Sequence, residues 1–184
     1  MLYILAGASN SGKSIHARHL TKKFGIPHFP LDLLTSIFSD TNTIDISHAD
    51  TLEKRSQALW KFTQPLITHL INESENYLLE GDAILPHQVL RLQNEFPKKI
   101  LACFLGYVTI DPEKKLRLIR NHEHLPDSWT HLFPDDKVLE FIKARIEFSK
   151  ELQIECQKHS LPYIEVEDNL DNTFNEIKKI FSLK

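Results

Sequence analysis

The chain is 184 residues long, the size of an ordinary single domain with room for a sizeable core. Hydrophobic residues make up 41% and charged residues 26%, which excludes a disordered chain and fits a globular one. The formal net charge of −3 offers no overall basic field, which argues against nucleic acid as an obligatory partner.

Leu2 to Ala6 is a short, continuous apolar run and reads as a buried parallel strand. No charged segment precedes it, and it is too short for a signal sequence or a membrane helix. No membrane association is therefore expected, and the cytoplasm is the default location. The run leads straight into Gly7-Ala8-Ser9-Asn10-Ser11-Gly12-Lys13-Ser14, the G-x-x-x-x-G-K-S pattern of a phosphate-binding loop. Its chemistry follows from the residue types. Gly7 lets the chain leave the strand with dihedrals that a Cβ would forbid. The loop N–H groups form a nest for phosphate oxygens, and Gly12 keeps that backbone close to the anion. Lys13 reaches the β- and γ-phosphates, and the Ser14 hydroxyl holds Mg²⁺. The helix from Lys13 through Ile15 to Phe24 aims its positive dipole end at the same phosphates. Gly7 to Ile15 is thus the expected ATP-binding segment.

Gly25 stops that helix. Pro27 to Leu31 makes a second strand, which its two prolines confine to an edge or a sheet end, and Asp32 follows at its carboxyl end. Leu33 to Phe38 carries one or two helical turns, and Ser39 to Asp45 reads as a loop. A long helix is expected from about Ala49 to Asn72, with Leu52, Leu59, Ile67 and Leu70 facing inward and Pro65 predicting a kink or break near Thr63. Asn76 to Glu80 is the third strand, ending in Gly81-Asp82, and Pro86 to Phe96 is a helix with proline in its first turn. Ile100 to Val108 is the clearest strand. Cys103 inside it reads as a small core residue, and Cys103 and Cys156 define no disulfide scaffold. Asp111-Pro112-Glu113 starts a helix that carries Lys114, Lys115, Arg117 and Arg120. Asn121 to Asp135 separates it from a helix over Asp136 to Lys158. Tyr163 to Val166 is the last strand, and Asp171 to Phe181 the last helix. There is no repeat and no linker, so 1–184 reads as one domain.

Strands alternating with helices imply a parallel sheet covered on both faces. Ligands in such sheets bind beyond the carboxyl ends of the strands, and four features fall there. The first is the phosphate loop. The second is Asp32, a carboxylate able to position an acceptor hydroxyl and take its proton, or to cap the helix after it. The third is Glu80-Gly81-Asp82 after an apolar strand. This is the Walker-B arrangement, with Glu80 or Asp82 orienting the metal and Asp82 also a candidate for substrate binding. The fourth is a set of arginines suited to the charge of a transferring phosphoryl: Arg117 and Arg120 on one helix face, and Arg145 on the next helix. Asn121 to Asp135 reads as a lid that closes over ATP. His122-Glu123-His124, with His131 nearby, lacks the H-E-x-x-H spacing and any nearby cysteine, and reads as solvent-exposed lid rather than a metal site. The chain has no D-x-x-G, N-K-x-D or L-S-G-G-Q motif, and no H-R-D or D-F-G. That argues against a GTPase switch, a transporter ATPase and a protein kinase.

With these motifs the chain resembles the small P-loop kinases of the adenylate kinase-like superfamily. The resemblance rests on Gly7–Ser14, Asp32 after strand two, Leu79-Glu80-Gly81 after strand three, and the Arg117/Arg120 helix. It implies an α/β three-layer fold with a five-stranded parallel sheet in order 2-3-1-4-5. It also implies a substrate-binding region at about 33–72, a lid at about 117–145, Mg·ATP as donor, and adenine near Glu167–Asn169. Nucleoside monophosphate kinases of that superfamily carry an arginine after strand two and D-G-F-P-R after strand three. Here Leu33–Asp40 has no arginine, and the other motif reads Glu80-Gly81-Asp82-Ala83-Ile84-Leu85-Pro86. The pattern is more similar to kinases of non-nucleotide small molecules, such as 2-phosphoglycerate kinase or chloramphenicol phosphotransferase. The expectation is an ATP-dependent kinase acting on a hydroxyl of a small metabolite, with Lys13, Asp32, Arg117 and Arg120 catalytic and Asp32, Asp82 and Arg145 toward the acceptor. Ser14 and Glu80 are expected at Mg²⁺. An atypical nucleoside monophosphate kinase and a nucleotide-dependent regulatory ATPase stay open beside it. Nothing in the sequence sets an oligomeric state.

Overall fold

The computed structural model describes residues 1–47, 50–73, 75–122, 124 and 128–184. Five strands, β1 (Leu2–Gly7), β2 (His28–Pro30), β3 (Tyr77–Gly81), β4 (Ile100–Gly106) and β5 (Tyr163–Glu165), form one parallel sheet in the order β2-β3-β1-β4-β5. The central strand β1 is buried at every position, which its unbroken apolar sequence requires. The proline-bearing β2 takes an edge, where an absent N–H costs no ladder bond.

Alternation along β1 divides the core in two. Leu2, Ile4 and Ala6, with Leu79, Ala102 and Phe104 of the neighbouring strands, pack against Ile67, Val89, Leu92, Leu152 and Cys156. These last residues come from α3 (Leu52–Glu73), α4 (Pro86–Glu95) and α6 (Asp135–Lys158). Tyr3 and Leu5, with Leu78, Cys103, Leu105 and Ile164, pack on the other face against Ala17 and Leu20 of α1 (Lys13–Phe24) and Phe174 and Ile177 of α7 (Leu170–Ile180). Each such fully buried aliphatic side chain contributes roughly 1.5–3 kcal/mol, so the two faces together hold the sheet rigid beneath whatever its carboxyl edge carries. Two further helices complete the chain, α2 (Asp32–Asp40) after β2 and α5 (Pro112–Asn121) after β4. A short 3-10 turn, Thr130–Leu132, precedes α6.

The boundaries follow local chemistry. Gly25 ends α1 in the left-handed conformation, with its N–H on the Thr21 carbonyl at 2.9 Å. The Asp111 side chain caps α5 by accepting from the Lys114 N–H at 2.8 Å. Two expectations need correction. The long helix runs unbroken through Pro65, because Pro65 and the Lys61 carbonyl that loses its partner lie on the exposed face while Leu59, Thr63 and Ile67 anchor the inner one. That helix also begins at Leu52; the expected start at Ala49 lies outside the described residues. Cys103 and Cys156 are both buried free thiols, and burial pushes the Cys103 thiol well up. Among the described residues no helix is long and apolar enough to cross a membrane.

Candidate active site

The phosphate loop lies between β1 and α1, at the carboxyl edge of the sheet. Gly7 has φ +127°, and a Cβ there would collide with the Leu105 carbonyl of β4. The Ala8 N–H donates to that same carbonyl at 2.8 Å, so only glycine lets the loop leave the sheet this close to its neighbour. Asn10 (φ 60°) and Gly12 (φ 85°) take left-handed conformations that fold the loop back over the helix start. The first helical bond runs from His16 N to Gly12 O at 3.0 Å, and the N–H groups before it have no helical carbonyl to meet. Lys13 is buried at 7% exposure and donates through Nζ to the Ala8 carbonyl at 2.8 Å.

The end of β3 meets this loop directly. Ser14 Oγ donates to Glu80 Oε1 at 3.1 Å, and Ser9 Oγ donates to Asp82 Oδ2 at 2.8 Å. Glu80 and Asp82 are each 4% exposed, carried there by the register that sets Leu5 beside Glu80 and Ala6 beside Gly81. A hydroxyl and a carboxylate at this spacing are hard oxygen donors of the kind Mg²⁺ takes alongside phosphate and water. Among the described residues no group of three His, Cys, Asp or Glu side chains could hold a metal by itself.

Asp82 has a second partner that the sequence reading missed. Arg55 of α3 donates through Nη2 to Asp82 Oδ2 at 3.0 Å, with both side chains almost fully buried. Burial works to raise the Asp82 carboxyl, but Arg55, Lys13 and the Ser9 bond outweigh it and hold it below the usual range. Asp82 Oδ1 and Arg55 Nε, equally buried, have no hydrogen-bond partner among the described residues. A signal for Arg55 was present: it occupies the inner stripe Leu52, Arg55, Ser56, Leu59, where a charge is out of place unless it is paired.

Asp32 is the first residue of α2, just past β2, beside Leu31, whose N–H donates to the Glu80 carbonyl at 2.8 Å. Surrounding protein, then the negative charges of Asp82 and Glu80, push its carboxyl up to about 7, while Lys13 and Arg55 pull it down. The outer side of Asp32 stays open to solvent. Three acids and two cations, Asp32, Glu80, Asp82, Lys13 and Arg55, therefore share one cleft.

The arginines are dispersed. Arg117 is exposed and makes no hydrogen bond or ion pair with the described residues. Arg145 is half-buried on α6, near enough to Tyr107 for its charge to act on the phenol. The Arg120 guanidinium is engaged within the protein. It donates to Asp135 Oδ1 at 2.9 and 2.6 Å, to Thr130 O at 3.0 Å and to Phe133 O at 2.9 Å. Those bonds fix the start of α6 and the turn before it. His122 Nδ1 lies 2.8 Å from the Leu118 carbonyl, and Glu123 lies outside the described residues. An open cavity of about 320 Å³ sits past the end of β5, lined by Glu165, Glu167, Asn169, Asn172, Thr173 and Glu176.

No protein-family model matches the chain, and no curated protein matches it in sequence. Solved structures match it in shape. A shikimate kinase from Bacteroides thetaiotaomicron superposes with TM-score 0.57 at 14% identity, covering 100% of this chain and 99% of its own. A gluconokinase from Sinorhizobium meliloti 1021 superposes with TM-score 0.58 at 15% identity, covering 98% and 90%. The chain shares the fold of these two kinases, a five-stranded parallel sheet in the order β2-β3-β1-β4-β5. An uncharacterized protein from Eubacterium ventriosum shares it at TM-score 0.57 and 14% identity, over 100% and 99% of the two chains.

Proposed function

We propose that this protein is an ATP-dependent small-molecule kinase that transfers the γ-phosphoryl group of Mg·ATP to a hydroxyl of a small metabolite. The observation that carries the reading is the pair of contacts from one loop to one strand end, Ser14 to Glu80 and Ser9 to Asp82. They join a phosphate-binding loop to an acidic cleft, and Asp32 opens onto the same cleft. The shared fold of a shikimate kinase and a gluconokinase supports the same class.

In this reading Gly7 to Ile15 cradle the phosphates, with Lys13 leaving the Ala8 carbonyl for the β- and γ-phosphates. Ser14 and Glu80 would hold Mg²⁺, which would supply positive charge against the negative charge of the transferring phosphoryl group. Asp32 orients the acceptor hydroxyl and accepts its proton as the phosphoryl group arrives. Asp82, fixed by Arg55 and Ser9, holds the other side of the acceptor. Arg117 and Arg145 approach the phosphates when the region 117–145 closes as a lid, and Arg120 braces that region through Asp135. Residues 33–72 form the acceptor side, and the cavity past β5 takes adenine near Glu167–Asn169. The protein works in the cytoplasm, where ATP is supplied.

Asp32→Asn tests the assignment. It should leave the Kd for Mg·ATP within about threefold of wild type and lower kcat by about 10²–10⁴-fold, the usual contribution of a general base. Unchanged turnover in Asp32→Asn would remove Asp32 from the chemistry and favour a regulatory ATPase.

A further inference from the structure

Lys115 lies on the inner face of α5 with Leu116 and Ile119, and it is 5% exposed. Its ammonium stands over the Tyr107 ring, 4.3 Å from the centroid. Tyr107 is itself buried, and its hydroxyl donates to the Ser9 carbonyl of the phosphate loop at 2.8 Å. A lysine on an inner helix face usually reaches a carboxylate. Lys114 does so on the surface, pairing with Asp168 at 2.8 Å. Lys115 makes no hydrogen bond or ion pair with the described residues.

The groups around it explain why. Glu165 of β5 is the acid whose charge acts on it. Glu165 Oε1 already accepts from Val108 N at 2.7 Å, Thr109 N at 2.9 Å and Thr109 Oγ1 at 3.0 Å, and Oε2 from the Tyr163 hydroxyl at 3.1 Å. Lys13 of α1 repels it, and Arg145 of α6 adds positive charge by Tyr107. Burial, then Lys13, lower the Lys115 ammonium to about 8 against the pull of Glu165. Taking an ammonium largely out of water is costly, and a ring face returns only part of that cost. Among the described residues this cation, one tyrosine away from an anion-binding loop, has no carboxylate in hydrogen-bond or ion-pair contact.

We propose that Lys115 is a second phosphate-binding cation beside Lys13, and that the nucleotide's phosphates supply its missing counter-charge. This rests on the reading of Gly7–Ser14 as a nucleotide loop and names a residue that no motif marks. The Tyr107 hydroxyl, bonded to the loop, keeps the ring that carries Lys115 aligned with the phosphates. Phosphate binding raises the proton affinity of Lys115, so near pH 8 the protein takes up a proton as it binds.

The experiment is isothermal titration of wild type, Lys115→Met and Lys115→Arg with Mg·ATP at pH 8.0, in two buffers of different ionisation enthalpy, with thermal melts of each protein. Wild type should take up about half a proton per nucleotide. K115M should bind about 10- to 100-fold more weakly, lose that uptake, and melt no lower than wild type, because a charge without a partner has been replaced by an apolar chain. K115R should restore affinity without uptake. K115M with wild-type affinity and uptake overturns the inference and leaves the nucleotide loop standing. K115M that fails to fold also overturns it, since Lys115 would then be structural. Wild type that binds no Mg·ATP overturns the nucleotide reading, and the inference with it.

Discussion

Arg55→Met removes one half of the buried Arg55–Asp82 pair and tests whether the site is built as described. The Arg55 Nη2 to Asp82 Oδ2 contact is 3.0 Å, with 3% and 5% of the two side chains exposed, so solvent screens it little. Loss of one partner from such a pair leaves an uncompensated buried charge and costs about 3–5 kcal/mol, a large share of the roughly 5–15 kcal/mol that holds a domain folded. The sign with pH is specific. In wild type the Asp82 carboxyl is held down, so its contribution is fully present above the unfolded value of 3.8 and is lost only as pH falls below it. In Arg55→Met the same carboxyl is pushed up, the folded state gains protons as pH falls from 7 to 5, and the deficit shrinks. Replacing both residues, as Arg55→Met with Asp82→Leu, should cost less than Arg55→Met alone. Urea unfolding of the three proteins at pH 7 and pH 5 reads all of this. A deficit under about 1 kcal/mol at pH 7, a deficit that does not change with pH, or a double variant no better than the single one would refute the reasoning.

Gly7→Ala forces a Cβ into the Leu105 carbonyl at φ +127° and should cost about 3 kcal/mol together with measurable Mg·ATP binding, read by melting and titration. Arg120→Ala gives up the Asp135 contacts and two carbonyl bonds of a partly exposed guanidinium, for about 1–2 kcal/mol in urea unfolding, whereas Arg117→Ala should stay within about 0.5 kcal/mol. Lys115 predicts an alkaline effect. Its ammonium is lowered from 10.5 to about 8 in the folded protein, so between those values the unfolded chain binds more protons and stability rises with pH. Wild type should therefore gain up to about 3 kcal/mol relative to Lys115→Met between pH 8 and 10.5, in urea unfolding across that range.

Much of the architecture could be read before any coordinates. Continuous apolar runs such as Leu2–Ala6 and Ile100–Leu105 must be buried on both faces, and alternation with helices then orders the sheet and its carboxyl edge. That edge, with the acid-ended apolar strand, singled out Asp32, Glu80 and Asp82, because each lies at or just past the carboxyl end of a strand. What stayed hidden depends on packing between distant segments. Arg55 and Lys115 sit in apolar stripes where periodicity anticipates Leu, and only the folded chain shows that one meets Asp82 and the other a ring. Glu165 and Tyr107 are strand-end residues whose partners, Val108–Thr109 and Ser9, no local pattern connects to them. Arg120 matched a catalytic residue type, yet its bonds are decided by the return path of the chain through Thr130, Phe133 and Asp135. Pro65 was read as a kink or a break, and the break was not needed, because the sequence does not say which face of a helix will hold the orphaned carbonyl.

The most direct measurement is coupled ADP release from Mg·ATP with the wild-type protein, across a panel of hydroxylated metabolites and nucleoside monophosphates. The account predicts acceptor-dependent turnover with a hydroxylated non-nucleotide metabolite, lost in Asp32→Asn while Mg·ATP binding is kept. Turnover with AMP or CMP alone would contradict it.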